Sequence, residues 1–145
     1  MNILSTCAFT LCLLFTQICP ASAQGIEYGA NQQKSFPSAD AIYNGLDKNL
    51  YREYDHATYS VRKKMLYKDV PEAFQVFEKK TGNYVGQSQK PLNKHIHPER
   101  QVYFLASFYQ SHQKEYRKHI VLDAETLNQL ESGKGFSTYE DPHEE

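Results

Sequence analysis

The segment QVYFLASFY, residues 101–109, constrains the fold more than any other part of the sequence. Its residues alternate between two sets, and both sets are mostly apolar: Val102, Phe104, Ala106 and Phe108 in one, Tyr103, Leu105, Ser107 and Tyr109 in the other. Strand residues of alternate parity point to opposite faces of a sheet, and a run that is apolar on both faces is typical of a buried strand. The segment therefore predicts a central strand.

One helix is predicted upstream of this strand. In SFPSADAIYNGLDKNLYREY, the apolar residues recur at i, i+3, i+4, i+7 and i+11, which makes a single helical stripe. The stripe comprises Ala39, Ile42, Tyr43, Leu46 and Leu50. Ser38 is a suitable N-cap, and Asp40 lies in the first turn, where the helix dipole favours a negative charge. Gly45 lowers the stability of the middle of this helix.

The remaining segments mostly predict strands. HATYSVRKKMLY alternates in polarity, and YRKHIVLDAE follows the turn QSHQKE, so the second of these should form a hairpin with the central strand. DVPEAFQVFEKK suits either a helical turn or a strand, GQSQKPLNKHIHPER is a polar loop, and TLNQLESGKG suggests a short last element. We expect an α+β domain in which one helix packs on a four- to five-stranded antiparallel sheet.

The first residues have the pattern of a secretory signal peptide. An apolar run from Ile3 to Ile18 precedes Pro20 and the small residues Ala21-Ser22-Ala23, which favours cleavage after Ala23. All three cysteines, Cys7, Cys12 and Cys19, lie in this segment, so the remainder lacks disulfides, zinc thiolates and a cysteine nucleophile. The expected organisation is a signal peptide (1–23), an arm (24–37), one domain (38–131) and an acidic tail (132–145). We expect a secreted monomer with no membrane anchor.

The charge balance limits any nucleic-acid surface to a local patch. Sixteen Lys and Arg residues oppose seventeen Asp and Glu residues, a formal net charge of −1. The densest basic cluster comprises Lys114, Arg117, Lys118 and His119. On a strand Arg117 and His119 share one face, where they could meet a phosphate, and Lys118 lies on the other. His95 and His97 lack an evident third ligand, so we predict no metal site and no other cofactor.

The layout resembles that of the secreted ribonuclease-like effectors of powdery mildew fungi, which are similar in turn to the small guanyl-specific fungal ribonucleases. The segments that carry the resemblance are IEYGAN, VPEAF, YFLASF and KHIVLDAETLNQL. The resemblance implies a ribonuclease-like fold, with two departures. YGA at 28–30 stands where the family has Tyr-x-Cys, and Phe104 falls near the place of the catalytic glutamate. The family's arginine falls on Arg117 or His119, and no histidine follows until His143, so the general acid is missing as well.

The resemblance thus implies a virulence effector without catalytic residues, delivered into plant cells, where it binds host RNA or a host protein. Plant intracellular immune receptors recognise some effectors of this kind, which makes such a receptor a further expected partner. The predicted binding surface comprises Arg117, His119, Tyr103, Tyr109, Lys94, His95 and His97, with Tyr103 or Tyr109 stacking a base beside Arg117 and the last three residues on a flanking loop.

Two other interpretations stay open on the sequence alone. One is an active secreted ribonuclease, with His56 and His119 as the acid–base pair and Arg117 on the phosphate. The other is a small bacterial periplasmic binding or inhibitor protein, which the cysteine-free mature chain suits equally well.

Overall fold

A computed structural model describes residues 27–82 and 91–138 of the chain. The elements are α1 (Ala39–Gly45), β1 (Tyr59–Leu66), a 3-10 turn (Tyr67–Asp69), α2 (Val70–Lys80), β2 (Gln101–Gln110), β3 (Lys114–Asp123) and β4 (Gln129–Thr138). The four strands form one antiparallel sheet in the order β1-β2-β3-β4. The α+β class, the central position of β2 and the β2–β3 hairpin are confirmed. The expected signal peptide (1–23) lies outside the described residues, as do 24–26 of the arm and 139–145 of the tail.

The expectation of a single helix is wrong, because α1 and α2 cover opposite faces of the sheet. On the α2 face, Phe77 packs in a cluster with residues of β2 and β3, namely Val102, Phe104, Ala106, Phe108 and Val121. On the α1 face, Ala39 and Leu46 pack with Tyr103, Leu105, Ile120 and Leu122. A helix on each side explains why both residue sets of β2 are apolar.

Helix α1 begins as predicted and ends early. The Ser38 hydroxyl accepts a hydrogen bond from the Ala41 N–H at 3.2 Å, while Leu46 is already extended, with ψ of 141°. Asn44 and Gly45 are weak helix formers, and the Asp47 carboxylate accepts from the Asn49 N–H at 2.9 Å, which favours a turn. Leu50, the last residue of the predicted stripe, is therefore exposed.

Helix α2 forms from the segment that the sequence left ambiguous. Pro71 lies in its first turn, where a missing N–H costs nothing, and Glu72 also lies there, near the positive end of the dipole. Phe77 is buried, and Phe74 packs against the same cluster.

Strand β4 is longer than expected and continues to Thr138. The domain boundary predicted at residue 131 therefore falls inside a strand. The described part of the arm contains one isolated bridge, between Tyr28 and Ile96, and no helix or longer strand. Within residues 27–82 and 91–138, no helix combines the length and the apolar character that a membrane span needs.

Candidate functional site

Arg117 and His119 share the α2 face, as the strand period predicted. Both line a cleft of about 290 Å³ between α2 and β4. Their cross-strand partners on β4 are Gly135 and Gly133, so β4 places no side chain directly opposite either residue on this face. The cleft exists because two glycines stand where a strand would otherwise place side chains.

The guanidinium of Arg117 is enclosed by the protein's own acceptors. It donates from Nη2 to Glu115 Oε2 at 2.5 Å and to the Thr81 carbonyl at 2.7 Å, and its Nε lies 3.3 Å from Thr81 Oγ1. Arg117 and Glu115 are 6% and 5% exposed. A phosphate could bind this guanidinium only by competing with Glu115, because the carboxylate already neutralises it.

His119 packs closely between α2 and β4. Its ring meets the Phe74 ring edge-on at 4.8 Å between centroids, and a Cβ at position 133 would lie 2.5 Å from His119 Cε1. Gly133 is therefore required by packing. His119 Nε2 is buried, makes no hydrogen bond to the described residues and lies 3.7 Å from Glu131 Oε1.

Tyr103 does not accompany Arg117. It lies on the α1 face and is fully buried, and its hydroxyl donates to the Pro37 carbonyl at 2.9 Å. Burial raises the pKa of this hydroxyl. The expected position of Tyr103 is wrong because Arg117 pairs with Phe108 and shares the face of the even-numbered residues of β2, whereas Tyr103 points to the other face.

The loop residues Lys94, His95 and His97 lie at the far end of the sheet. The His95 carbonyl accepts from the Glu27 and Tyr28 N–H groups, and the His97 N–H donates to the Tyr28 carbonyl at 2.9 Å. This loop adjoins Gln101 at the start of β2, whereas Arg117 pairs with Phe108. The two positions are separated by roughly 23 Å along the strand at the usual rise per residue. The loop fixes the N-terminal arm and does not flank Arg117.

Tyr109 belongs to a row of aromatic rings on the α1 face. Tyr109 pairs with Tyr116, and Tyr116 pairs with Phe136, so one ring from each of three strands lies side by side. The centroids are 6.1 Å and 5.2 Å apart, and Tyr54 lies 6.4 Å from Tyr109 and 6.1 Å from Tyr116. We call Tyr54, Tyr109, Tyr116 and Phe136 the aromatic ladder. Phe136, at its outer end, is 58% exposed.

Two lysines adjoin this ladder. Lys118 is the direct cross-strand partner of Lys134, and its Nζ lies 3.9 Å from the Tyr54 ring centroid. The pKa of Lys118 is lowered, first by burial and then by the positive charges of Arg52 and Lys134, although Asp55 and Glu53 oppose this shift. Like charges directly opposite one another destabilise a sheet. An anion bound beside this lysine pair, Lys118 and Lys134, would reduce the repulsion between the two charges.

The sequence contained part of this site. A hairpin through QSHQKE in which residues 110 and 115 are paired also pairs Tyr109 with Tyr116. The turn alone could therefore have predicted that these two rings of the aromatic ladder are neighbours. Phe136 and Lys134 could not, because their glycine-rich segment was assigned to the tail.

The described part of the chain contains no group of three or more His, Cys, Asp or Glu side chains that could hold a metal ion. Comparisons with protein-family models, with curated proteins and with solved structures found no match to this chain.

Proposed function

We propose that this protein binds single-stranded RNA without cleaving it, and that it does so as a secreted effector in a host plant cell. The observation that carries the proposal is the lysine pair beside the aromatic ladder. Bases would stack on Tyr109, Tyr116 and Phe136, and the backbone phosphates would lie between Lys118 and Lys134. Stacking on aromatic side chains with cations along the backbone is how sequence-tolerant single-strand binders work.

The charges near the aromatic ladder predict a small RNA-binding site whose affinity for RNA depends only weakly on salt concentration. The cations near the ladder include Lys118, Lys134 and Arg52. Two to three phosphate contacts correspond to a slope of about −1.4 to −2 for log affinity against log salt on a single strand. A net charge of −1 adds no general attraction for RNA, so affinity should depend on this patch alone.

The proposal also includes a ribonuclease-like fold and the absence of RNA cleavage. Phe104, near the place of the family's base, is fully buried in the core, and Arg117 is paired with Glu115. An antiparallel sheet with a helix packed on it supports a ribonuclease-like fold, while the second helix is a departure from that pattern. Secretion rests on the signal-peptide pattern of residues 1–23, and delivery into a plant cell rests on the resemblance to the powdery mildew effectors.

Fluorescence anisotropy with a labelled twelve-nucleotide single-stranded RNA tests the proposal. We expect binding at low salt and a loss of about fivefold or more for Lys118→Gln. The matched control is Lys63→Gln, an exposed lysine on β1 that should leave the affinity unchanged. If the wild-type protein does not bind, or if both variants weaken binding equally, the lysine pair is not an RNA site.

Gel analysis of the same RNA after long incubation tests the absence of cleavage. We expect intact RNA. Cleavage that disappears in His119→Ala would instead establish an active ribonuclease.

A further inference from the structure

The two edges of the sheet differ in how they are protected from further strand pairing. On β1, the consecutive cations Arg62, Lys63 and Lys64 occupy the edge, and charged side chains, especially lysine, are a common way to prevent edge pairing. On β4, the ten residues QLESGKGFST include one lysine, one glutamate, two glycines and no proline. No strand among the described residues pairs with the outer side of β4. Among the described residues, the outer side of β4 is therefore the less protected of the two edges.

We infer that the β4 edge accepts an extended segment of a partner protein as a fifth strand, with a large apolar side chain of that segment in the cleft on the α2 face. An edge strand presents alternating N–H and C=O groups, which only another extended peptide backbone can match. A sugar–phosphate backbone offers no such pattern, so this edge is chemically distinct from the aromatic ladder.

The cleft provides the side-chain specificity that edge pairing needs. Side chains of a fifth strand point alternately to the two faces, so every second one would lie on the α2 face beside Gly133 and Gly135. The wall opposite the glycines is formed by Phe74 and Phe77 of α2. An aliphatic or aromatic side chain suits the part of this space beside Phe74 and Phe77, where the Arg117 charge is already neutralised by Glu115, while Glu78 and Ser137 add polar groups to the lining.

A second copy of the chain fits the edge less well. The middle of β4 is Ser132-Gly133-Lys134-Gly135, which offers no large apolar side chain for the cleft of a paired copy. The partner is therefore a different chain that contains an extended segment with apolar residues at alternate positions.

The probe is a ten-residue peptide, selected by panning a random displayed library on the full-length protein and then synthesised. We expect the selected sequences to alternate, with large apolar residues at every second position. Methylating each backbone nitrogen of the probe in turn should weaken binding about tenfold at alternate positions and little at the positions between them. A uniform methylation profile, or no enriched peptide, would overturn the inference.

A variant at the cleft tests where the probe binds. In Gly135→Val the new Cβ would lie 3.9 Å from Arg117 Cβ, which is ordinary contact, and circular dichroism checks that the variant with the larger side chain is folded. We expect about a tenfold loss of probe affinity, and no loss for Gly45→Ala, a distant glycine with free space for a Cβ. Equal affinity in both variants would overturn the inference.

Two further measurements separate this inference from other outcomes. RNA affinity should be the same in Gly135→Val and wild type, so failure of the RNA proposal leaves the peptide result intact. Sedimentation of the protein alone should give a monomer. A dimer that dissociates when the probe is added would mean that a second copy occupies the edge, and the inference of a different partner would be wrong.

Discussion

Arg117 and Lys118 are adjacent residues of β3 and present positive charge to opposite faces of the sheet. The two charges are balanced differently. On the α2 face, Arg117 is bound by Glu115 and Thr81 and is almost fully buried. On the α1 face, Lys118 faces Lys134 across the sheet and forms no ion pair within the described residues. One cation is neutralised by the fold, and the other is repelled by its neighbour.

This difference shows that counting the cations in a segment is not enough to locate a binding surface. A buried guanidinium with a buried carboxylate contributes to the specificity of the fold, and removing one partner leaves an uncompensated charge. A half-exposed lysine opposite a second lysine gains free energy when an anion binds, because the anion screens the repulsion. The first pair should therefore govern stability and the second should govern affinity.

The largest expected effect is on stability, in Arg117→Leu. Glu115 would be left buried without its cation, so we expect the free energy of unfolding to fall by about 3 kcal/mol or more. The measurement is chemical denaturation followed by circular dichroism. The double variant Arg117→Leu/Glu115→Leu should recover much of the loss. RNA affinity of the folded fraction should not change, and a specific loss of RNA binding would place Arg117 in the site after all.

The next effect is on RNA affinity, in Phe136→Ala. Removing one stacking ring should cost about 1–3 kcal/mol of binding free energy. Because Phe136 is mostly exposed, the free energy of unfolding should change by only about 0.5 kcal/mol. Leu50→Ala, at an exposed apolar residue after α1, is the control for anisotropy measurements. Equal RNA affinity in Phe136→Ala and wild type would exclude the outer end of the ladder from the site.

The fold was predictable where a pattern repeats over a whole element. Alternation over residues 101–109 was sufficient for β2, and the turn that follows was sufficient for the β2–β3 hairpin. The same alternation placed Arg117 and His119 on one face and Lys118 on the other. Helix α2 was ambiguous because its apolar residues fit both periods, and its packing on the sheet decided the outcome.

The site was less predictable because it depends on register and on which end of the sheet a loop reaches. Strand β4 is rich in glycine and polar residues, so only pairing with β3 defines it, and two of the site residues, Lys134 and Phe136, lie on it. The loop carrying Lys94, His95 and His97 was polar, as binding loops often are, but sequence order did not show that it lies beside the N-terminal arm. Arg117 is paired with Glu115, two residues away on the same face of β3, so strand alternation could have indicated this pair, whereas the hydrogen bond to the Thr81 carbonyl joins residues that are distant in sequence.

A smaller effect is expected from reversing one charge of the lysine pair, in Lys134→Glu. A Lys–Glu pair across β3 and β4 should raise the free energy of unfolding by about 0.2–1 kcal/mol relative to the like-charged pair. The gain should shrink at high salt, since the pair is partly exposed. RNA affinity should fall because one phosphate contact becomes repulsive. Lys63→Glu on β1 is the control, and a stability gain of equal size in both variants would contradict the repulsion between Lys118 and Lys134.

The smallest effect is the titration of Lys118 itself. Burial, Arg52 and Lys134 lower the pKa of Lys118 below its ordinary value of 10.5, so between the two values the folded chain binds fewer protons than the unfolded chain. The charged Lys118 therefore opposes folding at neutral pH, and this cost is relieved as the pH rises through the lowered pKa toward 10.5. The difference in stability between wild type and Lys118→Met across this range isolates the contribution of Lys118 from the contributions of other groups.

The pKa of Lys118 can be measured directly by NMR on protein with labelled lysines. In Lys134→Gln it should rise without reaching the ordinary value, because burial remains as the largest cause. Single-stranded RNA should raise it further, since a bound phosphate favours the charged ammonium. A pKa that is unaffected by RNA would mean that no phosphate lies beside Lys118, and the contrast between the two faces of β3 would then concern stability alone.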